Sequence, residues 1–310
     1  MKNKFKKNKI MFSKTYNIIL KKPKWIITKF PTNNNKIKSI KKILKKNNLH
    51  SVCQEALCPN IYECFSKKTL TFMILGNICT RKCTFCAVLK GRPNKIDYYE
   101  PKKIAKIVKL INLKHVVITS VNRDDLKDGG SKHFLKCIKE IKKKKLNTTI
   151  EILVPDFRKC MNYAIKKIST CPPDIFNHNI ESVPRLYKYV RKGANYKHSL
   201  NLLKNFKNEN PNTITKSGLM IGLGEKYREI LKVITDLKKN NVNMLTIGQY
   251  LQPSKYHFPV KKYFTIKEFK NLEKEAVEIG FKNVFCGPLV RSSYHSNLQI
   301  KQLKTKKYKD

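Results

Sequence analysis

Six short apolar runs, each followed by a lysine-rich amphipathic segment, dominate the chain from residue 71 to residue 280. They are "TFMIL" at 71–75, "HVVITS" at 115–120, "TTIEILV" at 148–154, "DIFNH" at 174–178, "SGLMIG" at 217–222 and "NMLTIG" at 243–248. Segments such as "PKKIAKIVKLI" and "SKHFLKCIKEIKK" between them carry apolar residues at helical spacing. Strand and helix alternating in this order predict a parallel sheet whose crossovers are helices. No tandem repeat or linker interrupts the series. The expected fold class is therefore α/β, a partial (β/α)6 barrel of TIM type with N- and C-terminal extensions. The expected division is a basic extension at 1–70, a catalytic barrel at 71–280 and a C-terminal extension at 281–310.

Polar residues and glycines gather after each apolar run: a cysteine loop after the first, then "SVNRDD", "PDF", "NHNIES", "GLGE" and "GQYLQPS". In β/α barrels those strand ends form one mouth where chemistry takes place. Six separate stretches are thus expected to meet at a single site.

A chain of 310 residues can bury a full core. No apolar run reaches the ~18 residues of a membrane-spanning helix, and the lysine-loaded start lacks the apolar segment of a secretory signal. The reading is a cytoplasmic protein with no membrane partner, an organellar presequence in the unassigned first residues being the alternative. The formal charge of +46 invites a nucleic-acid reading. Yet 59 of the 67 basic residues are lysines, spread along the whole chain among asparagine and isoleucine. That pattern reads as solvated faces, with no nucleic acid implied. The eight arginines are more telling, because lysine cannot reproduce a planar fork of donors. Arg81, Arg92, Arg123, Arg191 and Arg291 stand in or beside the motif-like stretches.

Ten cysteines in a reducing compartment point to metal or redox chemistry rather than to disulfides. Cys137, Cys160, Cys171 and Cys286 are scattered and read as small hydrophobes. The other six form two trios. In "GNICTRKCTFC", Cys79, Cys83 and Cys86 follow a C-x3-C-x2-C spacing. Structural zinc wants four ligands, commonly from paired C-x2-C knuckles. A 4Fe-4S cluster held by three thiolates instead leaves one iron open to a small molecule, and for this spacing the fitting guest is S-adenosylmethionine. The upstream "SVCQEALCPNIYEC" sets Cys53, Cys58 and Cys64 in a C-x4-C-x5-C spacing, read as the seat of a second 4Fe-4S cluster. It too lacks a fourth cysteine nearby.

The blocks "SVCQEALCPNIYEC", "FMILGNICTRKCTFC", "VVITSVNRDDLKDGG", "PPDIFNHNIESVPRLY", "VRKGANY", "KSGLMIGLGE", "MLTIGQYLQPS" and "CGPLVRSSYH" occur in one order. In this the chain resembles the lipoyl synthases, radical S-adenosylmethionine (SAM) enzymes, from about residue 21 to near Gln302. The resemblance implies the radical SAM fold and catalytic roles for Cys79, Cys83, Cys86 and Ser293. It implies a first 4Fe-4S cluster on Cys79, Cys83 and Cys86, and a second on Cys53, Cys58, Cys64 and the second serine of "RSSY", Ser293. A serine oxygen is a hard ligand that suits a cluster meant to come apart. The implied reaction inserts two sulfur atoms, taken from the second cluster, at C6 and C8 of an octanoyl chain on a carrier-domain lysine. The implied partners are octanoylated carrier domains (2-oxoacid dehydrogenase E2 subunits and the glycine cleavage H protein), a low-potential donor such as ferredoxin or flavodoxin, and an iron–sulfur carrier.

Candidate cofactor contacts are Gly222, Gly224 and Glu225 in "GLGE", Asn179 and Glu181 in "NHNIES", and Arg191 in "VRKGANY". For Asn179 and Ser182, helix capping is the alternative. Arg123, Asp124 and Asp125 read either as ligand contacts or as a salt-bridged corner. His178 and His295 read as hydrogen-bonded structural residues. Ala87 departs from the family, where an acidic residue is common after the last cysteine of the loop. The rivals are another sulfur-inserting radical enzyme, of the biotin synthase or methylthiotransferase kind, and a zinc-bound nucleic-acid-binding protein. The latter predicts zinc and an affinity for DNA or RNA that falls steeply with salt.

Overall fold

A computed structural model describes residues 20–27, 35–66 and 69–294. His295 and the first 19 residues, on which expectations were placed above, lie outside the described residues. The chain before the barrel supplies helix α1 (Asn35–Lys46), strand β1 (His50–Ser51) and the short helices α2 (Val52–Glu55) and α3 (Ile61–Ser66). Strand β2 (Leu70–Ile74) then leads into a loop with a small ribbon, β3 (Ile78–Cys79) and β4 (Leu89–Lys90). After it come α4 (Glu100–Ile111), β5 (His115–Ser120), α5 (Ser131–Lys142), β6 (Thr149–Leu153), α6 (Met161–Ser169) and β7 (Ile175–Asn177). A 3-10 turn (Pro184–Leu186) precedes α7 (Tyr187–Val190) and α8 (Tyr196–Glu209). The series closes with β8 (Ile214–Ile221), α9 (Tyr227–Lys239), β9 (Met244–Gln249), α10 (Ile266–Glu278) and β10 (Asn283–Gly287).

One sheet runs in the order β1-β2-β5-β6-β7-β8-β9-β10, and every neighbouring pair is parallel except β1 with β2. Each of the six expected strands is present within three residues of its expected ends. The order is that of an open barrel, its edge strands being β1 and β10. A seventh parallel strand, β10, pairs with β9 through Asn283↔Met244 to Gly287↔Gly248. The sequence reading stopped one unit short because "NVFCG" is brief and less apolar than the other runs, although α10 before it follows the same helix-then-strand rhythm.

Packing explains the patterning. β2 is buried along its whole length and β9 likewise, as befits strands covered on both faces. On α4 the buried residues Ile104, Ala105, Ile107, Val108 and Ile111 form one stripe, while Lys102, Lys106 and Lys109 are exposed. There the high lysine content is solvated surface. Asn195 caps α8, its side chain accepting from His198 N at 2.9 Å, and Thr265 and Glu268 form a capping box on α10. Phe176 of β7 stacks on Phe206 of α8 with ring centroids 3.7 Å apart and planes 8° from parallel, both rings fully buried.

Polar groups cross the sheet as well. Glu151 of β6 accepts from Asn177 Nδ2 of β7 at 2.8 Å and from Lys216 Nζ of β8 at 3.0 Å, and lies 3.3 Å from His115 Nε2 of β5. Burial works against the Glu151 charge, but Lys216 outweighs it and holds the carboxyl at about 2. No helix among the described residues is long and apolar enough to cross a membrane. Phe206→Ala is expected to cost about 3–5 kcal/mol in urea unfolding, because it empties a fully packed site and strands Phe176. A loss under about 1 kcal/mol would mean that the stack contributes little.

Candidate active site

The loop after β2 begins with a left-handed turn, Leu75 at φ 66° and Gly76 at φ 89°. Leu75 cannot hold that conformation cheaply by itself. Its N–H donates to Glu100 Oε2 at 3.0 Å and its carbonyl accepts from Arg123 at 3.2 Å. Glu100 is fixed in turn by His133 Nε2 at 2.7 Å. Arg123 also pairs with Asp125 at 2.7 Å, so this stretch is the salt-bridged corner of the two alternatives.

The loop of three cysteines that follows is held mostly by contacts from the residues between them. Thr80 N–H donates to Asn122 O at 3.1 Å and its hydroxyl donates to Asp124 at 3.0 Å. Arg81, 8% exposed, forks onto both carboxylates at the ends of β5 and β6: it is paired with Asp124, bonds Asp156 Oδ1 at 3.0 Å, and donates to Gly193 O at 2.8 Å. Burial opposes these charges, yet pairing prevails, so Asp124 titrates below its ordinary value and Arg81 above it. Thr84 N–H reaches Val190 O at 3.0 Å, and Phe258 N–H reaches Thr84 O at 3.0 Å. The cysteine loop is thereby pinned to the ends of four other units.

Cys79 Sγ accepts from the backbone N–H of Asn122 at 3.3 Å and of Arg81 at 3.4 Å. Burial pushes the Cys83 thiol up to about 12, with Cys86 adding to it and Arg191 opposing it. Burial also pushes Cys86 up to about 11. Thiols so placed stay protonated until a cation arrives, and iron provides that charge and displaces the protons. The donor set fits a 4Fe-4S cluster on three thiolates. Beside the trio is a cavity of ≈ 260 Å³ also lined by Asn179, Glu181 and Arg191. Burial raises the pKa of Glu181, with Arg191 pulling against it. Arg191 donates to Tyr187 OH and Ser199 Oγ at 3.0 Å each. His178 donates from Nδ1 to Val154 O at 2.9 Å and accepts at Nε2 from Ser199 and Arg191. Burial and the Arg191 charge hold it neutral, at about 3, in the structural role expected of it.

A second cavity of ≈ 430 Å³ adjoins the first, lined by Cys53, Cys58, Arg291, Ser292 and Ser293. The two share Val52, Phe85, Cys86, Leu153, Asn179 and Glu181 as walls. Here the hydrogen bond between the thiols of Cys53 and Cys58 raises Cys53 and, against burial and with the Arg291 charge and the Asn60 N–H, draws Cys58 down to about 6. Cys64, buried on α3, is close enough to raise Cys53 further. The C-terminal segment is stitched over this trio. Asn60 donates to Leu289 O at 2.7 Å, and Tyr294 OH donates to Glu63 at 2.7 Å. Ser292 and Ser293 both line the cavity, and the Ser292 hydroxyl donates to Asn179 Oδ1 at 2.7 Å. Three soft thiols and one hydroxyl fit a second cluster.

Not every candidate faces these cavities. Gly222, Gly224 and Glu225 line neither; the Glu225 carboxylate turns back onto the N–H groups of Gly222 and Leu223. At Gly222, φ 102°, a Cβ would lie 2.1 Å from Gln249 Nε2, so the glycine serves chain packing. Asn179 bonds Glu181 at 3.0 Å as well as Ser292, and caps no helix. Arg92 is exposed. Of the scattered cysteines, Cys137 is fully buried and the other three are partly so. Asn122, Asp156 and Lys216 went unnoticed in the sequence. For Lys216 the signal was a charge just before the apolar run "SGLMIG".

Comparison with known proteins agrees with this geometry. Residues 73–237 match the domain family described as the Radical SAM superfamily. Among curated relatives, the lipoyl synthase of Buchnera aphidicola subsp. Cinara cedri is 64% identical over 291 residues, covering 94% of each chain. That of Wigglesworthia glossinidia brevipalpis is 58% identical over 94% of this chain and 93% of its own, and that of Vibrio atlanticus 54% over 93% and 90%. The chain belongs to the lipoyl synthase family. Solved structures similar in fold include methylornithine synthase, at TM-score 0.52 and 16% identity over 69% of this chain and 70% of that one. The FeFe-hydrogenase maturase of Carboxydothermus hydrogenoformans gives TM-score 0.52 and 16% identity over 75% and 66%. As a radical SAM enzyme of that family the chain has 4Fe-4S clusters and S-adenosylmethionine as cofactors.

Replacing Arg81 by Met leaves Asp156 buried without its partner, and is expected to cost about 3–5 kcal/mol at about pH 7. Because the folded pKa of Asp124 lies below its ordinary 3.8, the stability from pairing is present above that value and lost as acid protonates the group. The gap between wild type and variant in urea unfolding is thus expected to narrow toward about pH 3. A gap that stayed constant with pH would show that the ion pair is not its source.

Proposed function

We propose that this chain inserts two sulfur atoms, at C6 and C8, into an octanoyl chain carried in amide linkage on a lysine of a lipoyl carrier domain. The observation that carries the reading is the pair of adjoining cavities, one lined by Cys79, Cys83 and Cys86, the other by Cys53 and Cys58 with Cys64 buried close by. Those carbons bear unactivated C–H bonds beyond the reach of any side-chain base, since environments shift a catalytic pKa by only about 2–5 units. When bound, the first cluster and S-adenosylmethionine supply a hydrogen-abstracting 5′-deoxyadenosyl radical. The second cluster is itself a substrate, the source of sulfide.

The chain's own residues give each of these a place. Cys79, Cys83 and Cys86 hold three irons of the first cluster; Asn179, Glu181 and Arg191 meet the polar groups of the sulfonium cofactor. Cys53, Cys58, Cys64 and Ser293 hold the second cluster, with the oxygen of Ser293 as its weak point. The apolar wall of the larger cavity, which includes Leu57, Met220, Leu251 and Val290, receives the octanoyl chain and keeps water from the radical. The strands from β2 to β10 form the catalytic barrel in this reading, and the cysteine-bearing segment before β2 and the turn after β10 together build the sulfur-donating side. The carriers are E2 subunits of 2-oxoacid dehydrogenases and the glycine cleavage H protein. Electrons come from a ferredoxin or flavodoxin, whose acidic surface suits a basic partner. An iron–sulfur carrier restores the second cluster. The proposed compartment is the cytoplasm, where reducing conditions keep ten cysteines available.

The test reconstitutes the protein without oxygen and supplies S-adenosylmethionine, a low-potential reductant and an octanoylated lysine peptide. Mass spectrometry is expected to find two added sulfurs. Unmodified peptide alongside cleaved cofactor would overturn the proposal. Cys79→Ala is expected to abolish cofactor cleavage, whereas Cys53→Ala retains cleavage and loses sulfur transfer.

A further inference from the structure

We infer that Lys216 is a positioning residue that presents Ser293 to the second cysteine site. The inference rests on the reading of Ser293 as a cluster ligand. Lys216 is 0% exposed on β8 and lines neither cavity, which places it behind the site walls. A lysine is rarely buried so deeply without a reason beyond packing. Pairing with Glu151, at 3.0 and 3.3 Å, satisfies its charge. Its Nζ makes a further bond, a donation to the carbonyl of Ser292, 76 residues on in the chain.

That carbonyl belongs to the peptide plane that joins Ser292 to Ser293. The plane is rigid, so a bond fixing its oxygen also fixes where the Ser293 N and Cα lie. The Ser292 hydroxyl is held independently by Asn179 at 2.7 Å, and the turn is closed by Tyr294 N–H on Arg291 O at 3.0 Å. Two residues on from Lys216, and on the same face of β8, Gly218 leaves room for this arrangement. A Cβ there would lie 2.6 Å from Asn179 Oδ1 and 2.8 Å from Ser292 Oγ. β8 therefore receives the C-terminal turn through one buried donor and one missing side chain.

Three variants test the inference: Ser293→Ala, Glu151→Gln, and the double variant Glu151→Gln with Lys216→Met, which removes the buried charge pair as a unit. Each is reconstituted anaerobically and compared with wild type, at about eight irons per chain, by iron content and Mössbauer spectrum. Cofactor cleavage without peptide is measured alongside. Glu151→Gln keeps the lysine's bond to Ser292 and is expected to keep the wild-type spectrum. The double variant is expected to reproduce the iron deficit and altered second-site spectrum of Ser293→Ala, with cleavage within about twofold of wild type. Should the double variant not fold, Lys216→Gln, uncharged and with its terminal nitrogen one bond nearer the backbone, is read in its place with the same expectation. A double variant with the wild-type spectrum overturns the inference, as does loss of both clusters together or an equal deficit in Glu151→Gln. A wild-type spectrum in Ser293→Ala overturns the ligand reading itself, and the inference falls with it.

Discussion

A loop that must offer three thiolates to a cluster has to be shaped by bonds that do not involve sulfur, and here a buried guanidinium does most of the shaping. Arg81 joins the cysteine loop to the ends of β5 and β6 through Asp124 and Asp156, and to the chain beyond α7 through the Gly193 carbonyl. Lysine would place a point charge there, without the planar fork that reaches both carboxylates and a carbonyl at once. The ion pairs are costly to bury and costlier to break, which favours one loop conformation over many. Around that fixed loop the remaining strand ends add the groups that line the first cavity.

The second site obeys a different logic. Its cysteines come from two short helices and the loop between them, before the barrel, and its serines from a turn after it, so no single element shapes it. Cross-links hold it together: Asn60 to Leu289, Glu63 to Tyr294, and Lys216 to Ser292. A site assembled from both ends of a chain can be loosened at one end without unfolding the barrel. That is the property wanted of a cluster that is consumed. The shared wall of Phe85, Cys86, Asn179 and Glu181 brings this expendable site against the permanent one.

Much of this was legible in the residues. The strand runs showed because parallel strands buried on both faces are continuously apolar, and the cysteine spacing showed because cluster ligands must be close in sequence to share one loop. The polar interior was not legible: Glu151 and Lys216 sit 65 residues apart and satisfy one another only once β6 and β8 lie in one sheet. "GLGE" reads as a ligand cradle because glycines permit close approach, whereas in the fold the close approach at Gly222 is made by Gln249 and Lys262. Ser292 and Ser293 are equivalent as letters. In space they differ, since Ser292 bonds Asn179 through its hydroxyl and Lys216 through its carbonyl.

The central claim is that both trios serve one reaction, the first generating the radical and the second surrendering its own sulfur. It is tested most directly by reconstituting the protein with sulfur-34 sulfide, removing free sulfide, and running a single turnover on the octanoylated peptide in ordinary buffer. The account predicts that both sulfur atoms of the product are heavy. Product carrying light sulfur would contradict it.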